Sequence, residues 1–137
     1  MNASTRVIFR LRAVLESRPL AIDLVATLVA HVPAADKVFR DELITAFGEA
    51  FNNVVTHGYR DTPGGMLEID AEMGAAQMIL RLRDEGRSID LDNVKPPDLD
   101  SMPEGGMGLF LMHAMVDEVA YAAGHPNELT LTKRVNR

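Results

Sequence analysis

Apolar and polar side chains alternate along this chain in two rhythms, and the switches between them mark its elements. Val7 to Leu11 steps between apolar and basic residues around Ile8, Phe9 and Arg10, the period of a short strand with one covered face. After Pro19 the run Leu20 to Val29 takes up helical spacing, with an apolar stripe broad enough to need cover on more than one side. Either the chain's own core surrounds that helix, or the core and a second subunit share it. A second helix is predicted from about Asp36, after Pro33, to about His57, where Gly58 is a natural stop. On its wheel Leu43, Phe47, Ala50 and Val54 form a core face, while Glu42, Thr45, Glu49, Asn52, Asn53 and Thr56 gather opposite.

The rhythm then returns to two. Leu67, Ile69, Ala71 and Met73 alternate with Glu68, Asp70 and Glu72, and Met78, Leu80 and Leu82 alternate with Arg81 and Arg83. Gly74-Ala75-Ala76 between them predicts a hairpin turn. From Arg87 to Glu104 the periodicity is lost and Pro96, Pro97 and Pro103 accumulate, which predicts a loop of a length that usually serves function. Gly108 to Met115 reads as a short helix, and Val119 to Ala123 and Leu129 to Val135 as strands. This order predicts an α+β fold, a two-layer α/β sandwich whose mixed, mostly antiparallel sheet carries its helices on one face. With 137 residues, 47% of them apolar, and no repeat or long linker, one domain spanning 1–137 is expected.

Charge and composition narrow the function. A net charge of -6 and a pI near 5.1 argue against direct binding of nucleic acid or of an anionic membrane. The basic residues near the ends, Arg6, Arg10, Arg12 and Arg18, then Lys133, Arg134 and Arg137, are expected to be solvated flanks. Cysteine is absent, so thiolate chemistry and Cys-based metal sites are excluded. No signal peptide and no uncharged apolar stretch of about 20 residues is seen, and a soluble cytoplasmic protein is expected. The histidines His31, His57, His113 and His125 lack zinc-ligand spacing and are expected to be structural.

Three stretches carry chemistry. Glu49 and Asn53 stand four residues apart on the second helix, so their side chains share a face roughly 5–6 Å apart at Cβ. The amide oxygen suits magnesium, and the carboxylate can take a proton from an attacking hydroxyl. Asp84 closes a strand at a sheet edge two residues before Gly86; it can accept a hydrogen bond from the amine of adenine while the glycine lets a base approach the backbone. Gly105-Gly106-Met107-Gly108 ends the long loop where a helix begins, offering free amides to phosphate oxygens. Its spacing is not that of a Walker motif.

Glu49-Ala50-Phe51-Asn52-Asn53-Val54-Val55-Thr56-His57-Gly58-Tyr59 resembles the N box of the anti-sigma-factor serine kinases, members of the ATPase superfamily that includes gyrase and the histidine kinases. Asp84-Glu85-Gly86 is similar to that superfamily's first glycine box and Gly105-Gly106-Met107-Gly108-Leu109 to its second, with the ATP lid at about 87–104. The resemblance implies a Bergerat ATP-binding fold, with ATP and Mg2+ as cofactors. It implies that Glu49 is the catalytic base, that Asn53 binds the metal, that Asp84 and Gly86 recognise adenine, and that Gly106, Met107, Gly108 and Leu109 contact the nucleotide. It further implies a homodimer that sequesters a sigma factor and phosphorylates a serine of an anti-anti-sigma antagonist of STAS type. The alternative is a non-catalytic ATP-binding module that regulates by occluding its partner; Glu49 favours the kinase.

Two departures from the family pattern stand out. Pro103, Glu104 and Met107 occupy places where relatives often carry a basic residue. Seven acidic residues face two basic ones from Asp84 to Glu104, so ATP affinity without magnesium should be poor. Pro126-Asn127 stands where relatives usually have Gly-Thr, and Asn127 is expected to supply the replacement hydrogen bond to Asp84.

Overall fold

A computed structural model describes residues 4–59, 64–89 and 106–135. Strand β1 is Thr5–Arg12; a 3-10 turn, Leu15–Ser17, leads into helix α1, Arg18–Val29. Helix α2 is Lys37–Asn53, and a π-helical segment, Val54–Gly58, continues it. The hairpin β2, Met66–Met73, and β3, Gln77–Asp84, follows; then come α3, Gly106–Met115, and a second hairpin of β4, Glu118–Ala122, and β5, Asn127–Arg134.

The five strands form one sheet in the order β1-β2-β3-β5-β4. All four pairings are antiparallel, so the mostly antiparallel sheet expected is antiparallel throughout the described residues. Both hairpins impose that sense directly, and β1 returns to β2 only after two helices. The core lies between the sheet and the helices. Leu67, Ile69, Ala71, Leu80, Leu82, Leu129 and Leu131 line the inner face of the sheet, and Leu43, Phe47, Ala50 and Val54 of the α2 run meet them with no exposed surface. Each such large apolar side chain contributes about 1.5–3 kcal/mol by leaving water. Phe47 and Phe51 pack as a tilted ring pair with centroids 6.4 Å apart.

Helix α2 starts at Asp36, whose carboxylate accepts from the Phe39 amide at 2.8 Å and caps the first turn. It does not run as one α-helix to His57. The β-branched run Val54-Val55-Thr56 fits poorly into tight α turns, and the chain widens into the π segment right after Asn53.

Two of the basic flanks are more than solvated. On the outer face of the sheet, Asp70 is fully buried beneath Arg6 and Arg83, with Arg83 Nη2 2.8 Å from its carboxylate. The Arg6 hydrogen bond, followed by that of Arg83, holds its carboxyl below the usual range. Lys133 shares the inner face of β5 with Leu129 and Leu131 and is 8% exposed. Its ammonium reaches the Met115 carbonyl at the end of α3, at 2.5 Å, and lies 3.6 Å from Glu42.

Helix α1 buries Ala21, Val25 and Val29, while Leu20 is 54% exposed and Ile22, Leu24 and Leu28 are half-buried. The chain's own core therefore covers only one side of the broad stripe. Positions 90–104 of the expected lid, with Pro103, Glu104 and Lys95 among them, and Gly105 of the glycine run lie outside the described residues.

Candidate nucleotide site

The end of α2 carries Glu49 and Asn53, both half-buried; α2 packs against α3, and Glu49 lies on that side. A Cβ built on Gly108 would lie 2.7 Å from Glu49 Oε2. Glycine at 108 is thus what lets the carboxylate rest against the first turn of α3. The structure brings together two stretches far apart in the chain, Glu49 and Gly108, 59 positions on, in the remnant of the glycine run that opens α3. The side chain of Leu109, 4% exposed, belongs to the core.

Asp84 ends β3, which is the middle strand of the sheet and not its edge, because β5 pairs along its other side. The carboxylate is 3% exposed. Its Oδ1 accepts from the Gly86 amide at 2.9 Å and from Asn127 Nδ2 at 3.1 Å, while its Oδ2 has no donor among the described residues. The expected replacement bond from Asn127 is therefore present.

Sequence reasoning missed the rest of this support. The Tyr59 hydroxyl donates to the Met66 carbonyl and accepts from the Glu85 amide, both at 2.8 Å. The Gly58 carbonyl accepts from the Arg87 amide at 2.7 Å, and a Cβ on Gly86 would come within 2.3 Å of that carbonyl oxygen. Ser88 Oγ donates to Asn127 Oδ1 at 2.9 Å, and the Ile89 amide donates to the Tyr121 hydroxyl at 2.8 Å. Tyr59 was legible as part of His57-Gly58-Tyr59, whereas Tyr121 gave no signal beyond strand alternation.

Burial pushes the Asp84 carboxyl above the ordinary carboxylate value, partly opposed by the donors Asn127 and Gly86. The stability tied to its proton is complete below the unfolded pKa and is lost as pH rises through the raised folded value. A base amine is accepted best by the ionised form. ATP affinity is therefore expected to fall as pH drops through that raised value and to level off above it, and Asp84→Asn should remove the step. Binding titrations between about pH 4 and 8 check this; an unchanged step in the variant would assign it to another group.

The donor set fits a magnesium nucleotide. One amide and one carboxylate, with free amides opening a helix, match an ion that takes only one or two protein ligands and completes its shell with phosphate and water. A carboxylate whose Oδ2 takes no hydrogen bond from a described residue suits an adenine amine.

A five-stranded antiparallel sheet layered with helices is the architecture of a nucleotide-binding domain of the histidine kinase type. The chain belongs to the histidine kinase-like ATPase domain family, which it matches over residues 11–133. Among its relatives, the anti-sigma F factor of Clostridium beijerinckii is 30% identical over 128 residues, 88% of each chain. The serine-protein kinase RsbW of Oceanobacillus iheyensis is 32% identical over 87 residues, 58% of this chain and 55% of that one. The solved structure of the RsbU and RsbW domains of Rv1364c from Mycobacterium tuberculosis superposes with a TM-score of 0.70 at 20% identity. That match covers 97% of this chain and 32% of the solved one, and it supports the fold.

Proposed function

We propose that this chain is a magnesium-dependent protein-serine kinase that uses ATP, sequesters a sigma factor and phosphorylates a serine of a STAS-type anti-anti-sigma antagonist. The observation that carries the reading is the half-buried Glu49 carboxylate resting against Gly108 at the opening of α3. A site that only held nucleotide would have no use for a proton acceptor there. The names of the relatives, anti-sigma F factor and serine-protein kinase, support the same reading.

Bound Mg-ATP supplies the transferable phosphoryl group and the metal charge that offsets its anion. Asn53 offers its amide oxygen to the metal, and Asp84 Oδ2 accepts from the adenine amine beside Gly86. The amides of Gly106, Met107, Gly108 and Leu109 present the positive end of α3 to phosphate. Glu49 takes the proton of the serine hydroxyl and orients its oxygen. The incompletely covered side of α1 supports a homodimer, and a cytoplasmic location goes with such partners.

The test is incubation of the purified chain with γ-labelled ATP, magnesium and its cognate STAS-domain antagonist. Label should appear on a serine of that protein, and chelation of magnesium should abolish transfer and weaken ATP binding at least ~10-fold. Intact ATP binding with no transfer would replace the kinase by a module acting through occlusion alone.

A further inference from the structure

Asn127 is fully buried and all of its side-chain hydrogen-bonding capacity toward described residues goes to four groups from three places in the chain. Its Nδ2 donates to Asp84 Oδ1 at 3.1 Å and to the Gly86 carbonyl at 2.9 Å. Its Oδ1 accepts from Ser88 Oγ at 2.9 Å and from the Gly124 amide at 3.0 Å. The partners fix which way the amide faces. An amide donor on one side, Gly124, requires the oxygen there, and the carboxylate and carbonyl on the other require the nitrogen. A flipped amide would set oxygen against the Asp84 carboxylate.

The same residue thus controls two things. With the Gly86 amide it fills one oxygen of Asp84, and Oδ2, which takes no hydrogen bond from a described residue, is the acceptor for a base. It also holds Ser88, in a run whose every residue is tied down: Glu85 by Tyr59, Gly86 by Asp84 and Asn127, Arg87 by Gly58, Ser88 by Asn127, and Ile89 by Tyr121. We propose that Asn127 is the positioning residue for base selectivity, and that it makes selectivity depend on the seating of Ser88, the root of the segment that follows the base turn. This deepens the reading of Asp84 as the adenine acceptor and rests on it. Asn127 itself has no group left for the base, so it acts only through Asp84.

The test compares binding of ATP with that of purine riboside triphosphate, which lacks the exocyclic amine. Loss of one hydrogen bond to a carboxylate should favour ATP in the wild type by about 10- to 100-fold. Asn127→Ala should weaken ATP and bring the ratio toward unity, while Asn127→Ser, which keeps one short donor, should retain part of it. Ser88→Ala, at an exposed position, should lower the ratio without the folding risk of a buried change. A merely structural role would weaken both nucleotides equally and leave the ratio alone. Folded Asn127→Ser and Ser88→Ala proteins that keep the full ratio would overturn the proposal. A wild type with no preference for ATP would instead overturn the adenine reading of Asp84.

Discussion

Glu49→Gln is expected to leave nucleotide bound and to stop phosphate transfer. The substitution keeps the size of the side chain that rests against Gly108 and removes only its charge and its capacity to take a proton. Loss of a general base costs about 10²- to 10⁴-fold in rate. ATP affinity should stay within a few-fold of wild type, because Asn53, Asp84 and the opening of α3 are untouched and one negative charge near the phosphates is gone. Single-turnover transfer to the antagonist serine, measured beside equilibrium binding, separates the two effects. Transfer at the wild-type rate would place the base elsewhere, and loss of binding would make Glu49 a structural residue.

The second large effect is expected from Gly86→Ala. A methyl at that position would lie 2.3 Å from the Gly58 carbonyl oxygen and 2.7 Å from its carbon, both backbone atoms. Neither can turn aside as a side chain could. The π segment and the Asp84–Gly86 turn must move apart, which breaks the 2.7 Å bond from the Arg87 amide to that same carbonyl. Overpacking of this kind costs about 1–3 kcal/mol of stability. Because the displaced turn carries Asp84, ATP affinity should fall at least ~10-fold as well. Gly58→Ala is the matched control: its methyl would meet nothing nearer than 3.5 Å, and its stability should change by less than about 1 kcal/mol. Chemical denaturation and nucleotide titration of both variants decide the matter. Equal, small effects would show that the turn yields without cost.

Most of the fold was legible because its elements are long and strongly periodic. The alternation of Leu67 to Met73 and of Met78 to Leu82 gave both strands and the face each buries, and the wheel of α2 separated Leu43, Phe47, Ala50 and Val54 from Glu49 and Asn53. What periodicity reports is which side of an element faces inward. It does not report which distant residue waits there. Lys133 has the strand position of a core residue and the chemistry of a flank, and only the approach of Met115 and Glu42 explains why it lies inside. The antiparallel sense of the β1–β2 and β3–β5 pairings is likewise a matter of how the chain returns, which the local pattern leaves open.

The site shows the same division. Glu49, Asn53, Asp84 and Gly86 sit in short motifs, and the sequence singles them out as candidates. Their supports are single residues scattered over Ser88, Tyr121, Gly124 and Asn127, with no spacing of their own, and among these only Asn127 was anticipated. The π segment escaped notice because a helix one residue wider per turn keeps nearly the same apolar stripe over a single turn.

Among the described residues the order of the strands leaves the sheet with two unpaired margins, and they are protected by different means. At one, β4 has only five residues, too few to template a long ladder. At the other, β1 runs for eight residues without a proline, and Arg10 and Arg12 make no hydrogen bond or ion pair among the described residues. Two such strands meeting edge to edge would bring unneutralised guanidinium groups from both copies together, which opposes growth of a shared sheet. The same two arginines thus give an acidic chain a positively charged guard against aggregation along β1, the longer of its two described edge strands.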